Sequence, residues 1–290
     1  RNGQDWTKPH PQTSTLCRHR GKCAKPILTL LLSFIVLSLA MAARAQLQSV
    51  VPGNTAFALN LYQQLATNPG NLFFSPYSIS TCLAMTYAGA RGHTEAQMSQ
   101  VLGFDTNQQA FAALFGDLQS ELEANQETNI LELNIANALW TQEGFPFLPA
   151  FLDTATTQYQ ANINQANFIT NAPAVTQSIN NWVAQETQNK IQNILPAGSI
   201  NGSTRLVLAN AIYFLGTWTY SFEKTNTTTQ PFFLSSTNEE EVPLMHQPVS
   251  STMYKYMATT NFQAIALPYG SNQDAMLILL PTQVWLLTST

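Results

Sequence analysis

Charge is what this chain has least of: twelve Lys and Arg and sixteen Asp and Glu make up 10% of its 290 residues. Seven of the cations fall within residues 1–45, so only Arg91, Lys190, Arg205, Lys224 and Lys255 remain beyond them. Those five stand against fifteen acids, a net charge of −10 for residues 46–290. Scattered cations on an acidic surface exclude nucleic-acid binding, which rests on clustered Lys and Arg. Cysteine is nearly absent as well. Of three, Cys17 and Cys23 lie in that first segment, leaving Cys82 without an intrachain partner in residues 46–290. Of four histidines only His93 and His246 lie beyond residue 45, too few for a His/Cys metal cluster. There is no G-x-S-x-G elbow, no glycine-rich phosphate loop and no H-E-x-x-H, so nothing points to an enzyme or to a cofactor.

A long apolar run is missing too. The longest near the start is Ile27 to Ala40, fourteen residues, short of the about 20 that a membrane span needs. A basic flank (Arg18, Arg20, Lys22, Lys25) precedes it, and Ala43-Arg44-Ala45 supplies the small-x-small pattern of a signal-peptidase site. A membrane anchor is the competing reading. The pattern predicts a leader over 1–45, a secreted chain starting near Gln46, and no membrane contact once the leader is removed. Residues 46–290 are long enough for one large core, and no repeat or low-complexity linker divides them.

Apolar periodicity predicts helices first and strands later, an α+β arrangement rather than alternating α/β. Residues 55–67 place Phe57, Leu61 and Leu65 on one helical face, stopped by Asn68-Pro69-Gly70. A short strand, Leu72-Phe73-Phe74, leads into Ser75-Pro76, a helix cap with proline at the first helical position. Ile79, Cys82, Leu83, Thr86 and Tyr87 follow at helical spacing. Thr94-Glu95-Ala96-Gln97 reads as a capping box for a helix carrying Met98, Val101 and Leu102 inward, with Gly103 as its stop. Further helices are predicted over 109–123, after Pro146 with Phe147, Phe151 and Tyr159, and over Ala174 to Ile191 with Val175, Ile179, Trp182 and Val183 on one stripe. Alternation of Leu131, Leu133, Ile135 and Leu139 predicts a strand, with Asn137 the exception on its apolar face. Short strands are expected at 231–234, 242–246, 252–258, 262–268 and 275–281.

The run Leu206 to Phe214 is almost wholly apolar and bounded by Gly202-Ser203 and Gly216. Nine residues with β-branched Val207 and Ile212 favour a strand buried on both faces over a helix. Asn210 sits in its middle, and a buried amide must find partners or cost about 1–3 kcal/mol. The other chemistry-bearing residues have plain readings. Cys82 lies on an apolar stripe, His93 and His246 at turns, and Glu239-Glu240-Glu241 in a solvated turn between strands. Asn201-Gly202-Ser203 and Asn226-Thr227-Thr228 are glycosylation sequons, which matter only in an exported chain.

Several of these segments resemble one family. NLFFSPYSISTCLAMTYAGARGHTEAQMSQVLGF (71–104) is similar to the N-terminal signature of serpins, INNWVAQETQNKI (179–191) to the helix across their main sheet, and LVLANAIYFLGTWTYSF (206–222) to the central strand of that sheet. The likeness runs from about Thr55 to Pro281 in order and spacing. It implies helices packed on a large mixed sheet plus smaller sheets. It also implies inhibition of serine, and sometimes cysteine, proteases: an exposed reactive loop is cut as substrate and inserts into the main sheet as a new strand. By resemblance, Ser75, Ser78 and Asn210 belong to the cluster beneath the place where the sheet parts, and Trp218 to the top, where insertion begins.

Two departures stand out. Leu215 takes a position where the family usually has Lys, and the chain stops at Thr290, before the hinge, the reactive loop and the family's histidine partner of Asn210. The expectation is a partial serpin domain, incomplete at its C-terminus, with an unpaired sheet edge open to self-association. The alternative function is a non-inhibitory binding or storage relative.

Overall fold

A computed structural model describes residues 50–282 except 69, 106, 125, 127–129, 235–236 and 249–253; the leader expected over 1–45 lies outside these residues. The first helix, α1, covers 50–65 and turns its Val50 and Phe57 into the core. Four more follow: α2 (Pro76–Gly89), α3 (His93–Leu102), α4 (Gln108–Ala124) and, after strand β1 (Leu131–Gln142), α5 (Pro149–Gln158). Strand β2 (Asn162–Ala166), helix α6 (Phe168–Glu186) and strand β3 (Leu206–Gly216) complete the first half. The rest is a hairpin of β4 (Thr228–Phe233) and β5 (Glu239–Leu244), then an antiparallel meander of β6 (Lys255–Ala258), β7 (Phe262–Pro268) and β8 (Ala275–Pro281). The α+β class, with helices packed on a mixed sheet and smaller sheets beside it, is as expected.

The main sheet has the order β2-β1-β3, with β1 parallel to β2 and antiparallel to β3. Successive side chains point to opposite faces, so the period of two divides the strands between two cores. Leu139, Leu206 and Leu208 face a core of α1–α5 residues built around Tyr87, Phe104, Phe111, Phe115 and Tyr159. Ala138, Trp140, Val207 and Ala209 face the other side, where α6 supplies Phe168, Val175 and Ile179. Asn137 and Asn210, direct cross-strand partners, belong to the first face.

Several local expectations change. Leu72 to Phe74 forms no strand, and Phe73 is fully exposed. The capping box at Thr94 is not used: α3 starts one residue earlier from Gly92, whose φ of 62° suits glycine. Val101 points outward at 70% exposure while Leu102 is buried, because the inward stripe is narrower than the apolar spacing suggests. Thr86 of α2 is likewise exposed; Tyr87 is buried as expected, together with Ser80, Thr81, Ala84 and Met85. Helix α6 begins at Phe168, capped by Asn167 Oδ1 accepting from Thr170 N, and kinks at Asn171 ahead of Pro173. Proline lacks the N–H for the turn behind it, so an interior proline mimics a helix start in sequence. The same helix stops at Glu186, where Gln188 and Asn189 take positive φ. Glu239, Glu240 and Glu241 are the first residues of β5, paired with Phe233, Phe232 and Pro231, rather than a turn.

Strand β3 is less enclosed than expected. Only Ala211 and Tyr213 are buried, and Phe214 and Leu215 are 44% and 57% exposed. Among the described residues it forms the edge of its sheet.

Candidate functional site: a buried amide chain beneath the sheet edge

Asn210 Nδ2 donates to Asn137 Oδ1 at 2.8 Å across the β1–β3 pair. Asn137 Nδ2 donates in turn to Gln119 Oε1 of α4 at 3.0 Å and to the Tyr159 carbonyl at 2.8 Å. Gln119 Nε2 donates to the Ile135 carbonyl and to Glu123 Oε1, both at 3.2 Å. Three amides thus run in series from the sheet edge to α4. Asn137 and Gln119 are 2% and 3% exposed, so each bond replaces a desolvation cost rather than competing with water. At the sheet end the chain is incomplete: Asn210 Oδ1 is buried and accepts from no group among the described residues.

The serines lie on the adjoining helix. Ser75 caps α2, its Oγ accepting from Ser78 N at 3.2 Å and from the Ser78 hydroxyl at 3.0 Å. The structure brings the two serines together; neither is hydrogen-bonded to Asn210. Cys82, one turn further on, meets the Asn210 backbone. Burial pushes its thiol up to about 11, against the smaller effect of that backbone contact, which suits packing and not nucleophilic chemistry.

Trp218 forms a second cluster at the end of β3. Its ring stacks on Tyr269 with centroids 4.4 Å apart and meets Phe222 edge-on at 6.2 Å. Tyr269 also packs edge-on against Phe214 at 5.1 Å. Main-chain bonds from Thr219 N to the Pro268 carbonyl and from Gly270 N to the Thr217 carbonyl tie this corner to the meander. Gly216 permits it, since a Cβ there would lie 2.7 Å from the Tyr269 ring. Eight residues separate Asn210 from Trp218, about 26 Å along an extended strand, so the two clusters are distinct.

Tyr77 adds a buried hydroxyl that makes no hydrogen bond of normal geometry among the described residues. Burial, with a smaller push from the Glu123 charge, raises its phenol to about 12 from 10, against a lowering by the neighbouring Thr81 hydroxyl. A raised phenol keeps its proton in the folded chain while the unfolded chain loses it above pH 10. The stability held by neutral Tyr77 is therefore complete below pH 10 and lost as pH rises toward 12. Tyr77→Phe should leave stability at pH 7 unchanged or slightly higher and flatten its decline between pH 10 and 12. Urea titrations at pH 8, 10 and 11.5 check this; a variant as alkali-sensitive as the parent would remove Tyr77 as the cause.

Among the described residues, a mixed sheet with one helix on one face, five on the other and a buried amide at its outer strand defines an α+β protein of a recognisable kind. The family description "Serpin (serine protease inhibitor)" matches residues 52–288. The chain is 37% identical over 232 residues to leukocyte elastase inhibitor of Xenopus tropicalis, covering 79% of this chain and 61% of that protein. It is 38% identical over 238 residues to serpin B6 of Macaca fascicularis, covering 79% and 61%. Among solved structures, ovalbumin from emu (Dromaius novaehollandiae) superposes with a TM-score of 0.73 at 28% identity, over 80% of this chain and 63% of that one. Arabidopsis AtSerpin1 in its native stressed conformation gives 0.71 at 30% identity, over 82% and 61%. The chain belongs to the serpin family. It spans about three fifths of the length of the curated relatives it matches.

The likeness to leukocyte elastase inhibitor and serpin B6 points away from secretion, which corrects the extracellular location and signal peptide read from residues 17–45. A basic flank, a short apolar run and an Ala-x-Ala triplet are compositional features that a segment can meet by chance. The kinship rests on more than two hundred aligned positions.

Sequence reasoning noticed Asn137 only as an exception and missed Gln119 entirely. Both were findable. Gln119 stands four residues beyond Phe115 and eight beyond Phe111, the one amide on a buried aromatic stripe.

Proposed function

We propose that this chain is part of a serine-protease inhibitor that works by loop insertion, with β3 as the wall against which an inserting strand docks. Ser75, Ser78 and Asn210 would form the region beneath the parting strands, and Trp218 the corner where insertion begins. The observation that supports this reading is the state of β3 among the described residues: the outer strand of its sheet, over a packed core, with a buried acceptor on Asn210 that no described group donates to. A main-chain edge and an unspent side-chain acceptor are what an added strand needs. The names of the relatives, inhibitors of elastase among them, support the same reading and do not favour the storage alternative.

The partner would be a serine protease of the elastase type. The test uses protein expressed from the complete gene that contains this chain, mixed with leukocyte and pancreatic elastase and a trypsin-like control. The expected result is a covalent complex that survives SDS, at near one-to-one stoichiometry with one of them. Ordinary proteolysis by every protease tried, with no such complex, would remove the inhibitory reading.

A further inference from the structure

The amide chain has a direction, and its direction is set from α4. A carbonyl can only accept, so the Tyr159 carbonyl requires the NH2 of Asn137 and the Ile135 carbonyl requires the NH2 of Gln119. Glu123 is a third acceptor, and as a carboxylate it is the strongest of them for the same Gln119 NH2. With its NH2 so engaged, Gln119 can offer Asn137 only Oε1. Asn137 then offers Asn210 only Oδ1, and Asn210 must turn Nδ2 inward and leave Oδ1 on the side away from Asn137. Reversing any one amide would set two donors or two acceptors face to face in a buried site.

We propose that Gln119 and Glu123 are positioning residues of the Asn210 site, holding the Asn210 amide through Asn137 so that its acceptor faces the side of β3 that is unpaired among the described residues. Tyr159 and Ile135 act through main-chain atoms. Glu123 is half-buried where Gln119 and Asn137 are buried, so on the helix side it is the member through which the site can be altered from outside. The functional weight of this arrangement rests on the loop-insertion reading, but the arrangement itself is measurable without any protease.

The measurement is hydrogen exchange of the Asn210 side-chain amide in the 290-residue chain labelled with 15N-asparagine, the signal being identified by its loss in Asn210→Ser. Glu123→Lys replaces the terminal acceptor by a donor, and Gln119→Met removes the link with little change of volume. Both should speed exchange of the Asn210 amide by roughly tenfold, the effect of losing one hydrogen bond's restraint. Glu123→Gln keeps an acceptor oxygen and should stay close to the parent. Glu121→Lys, on the exposed side of the same helix, should do the same and controls for charge alone. If Gln119→Met fails to fold, Glu123→Lys at its half-open position still decides. Exchange unchanged in Glu123→Lys, or equally fast in Glu121→Lys, would overturn the proposal. A complete protein that inhibits no protease while Asn210 responds as described would fail only the functional reading.

Discussion

Asn137→Leu should lower the thermal midpoint of the chain by roughly 10 °C, the largest change expected for any single side chain here. Leucine has the same branched outline as asparagine and suits the apolar face, so no cavity is opened. It comes from what is left behind. Asn210 Nδ2, Gln119 Oε1 and the Tyr159 carbonyl all lose their partner at one stroke. Each buried group left unpaired costs about 1–3 kcal/mol. Transfer of leucine to the interior offsets about 2 kcal/mol of that sum. A net loss of about 3–4 kcal/mol remains. A scan of ellipticity at 222 nm on parent and variant measures it, and a midpoint within 2 or 3 °C of the parent would mean the amide chain does not hold the sheet to α4.

Gly116→Ala should cost about 2–3 kcal/mol, although alanine favours a helix over glycine by about 1 kcal/mol. Gly116 lies where α4 crosses the end of α5, and a Cβ there would fall on the carbonyl oxygen of Gln158. A backbone carbonyl cannot swing aside as a side chain can. The end of α5 would have to move, taking with it Tyr159, whose carbonyl holds Asn137. Gly89→Ala gives the contrast: its nearest neighbour would be the Phe151 ring at 3.2 Å, which can tilt. That variant should stay within about 1 kcal/mol of the parent. Urea denaturation of the two side by side is decisive, and equal stabilities would rule out the backbone contact as the cause.

The physics of these two variants also explains what could be read from the residues alone. Strand β8 was placed at Ala275–Pro281 and α4 within a residue of Gln108–Ala124, because both carry an uninterrupted periodic pattern. Pro173 misplaced the start of α6, since a proline at a kink and a proline at a first turn look alike in sequence. Strand β3 was read as buried on both faces. Apolar character reports the sheet a strand is built for, whereas exposure depends on which neighbours are present. Asn210 could be singled out by its polarity in an apolar run, but its bonds could not. They depend on the β1–β3 register and on the face that α4 turns toward it, and both of these are tertiary facts.

Helix α6 lies on β1 with Trp182 against Trp140, ring centroids 5.3 Å apart and planes at 76°. Two indoles that close and that steeply crossed share their excited states, and the coupling gives a signed pair of bands in near-ultraviolet circular dichroism. The signal depends on the mutual orientation of the rings and vanishes once they separate. The chain therefore carries an optical gauge of whether the crossing helix is seated on its sheet, with no dye attached.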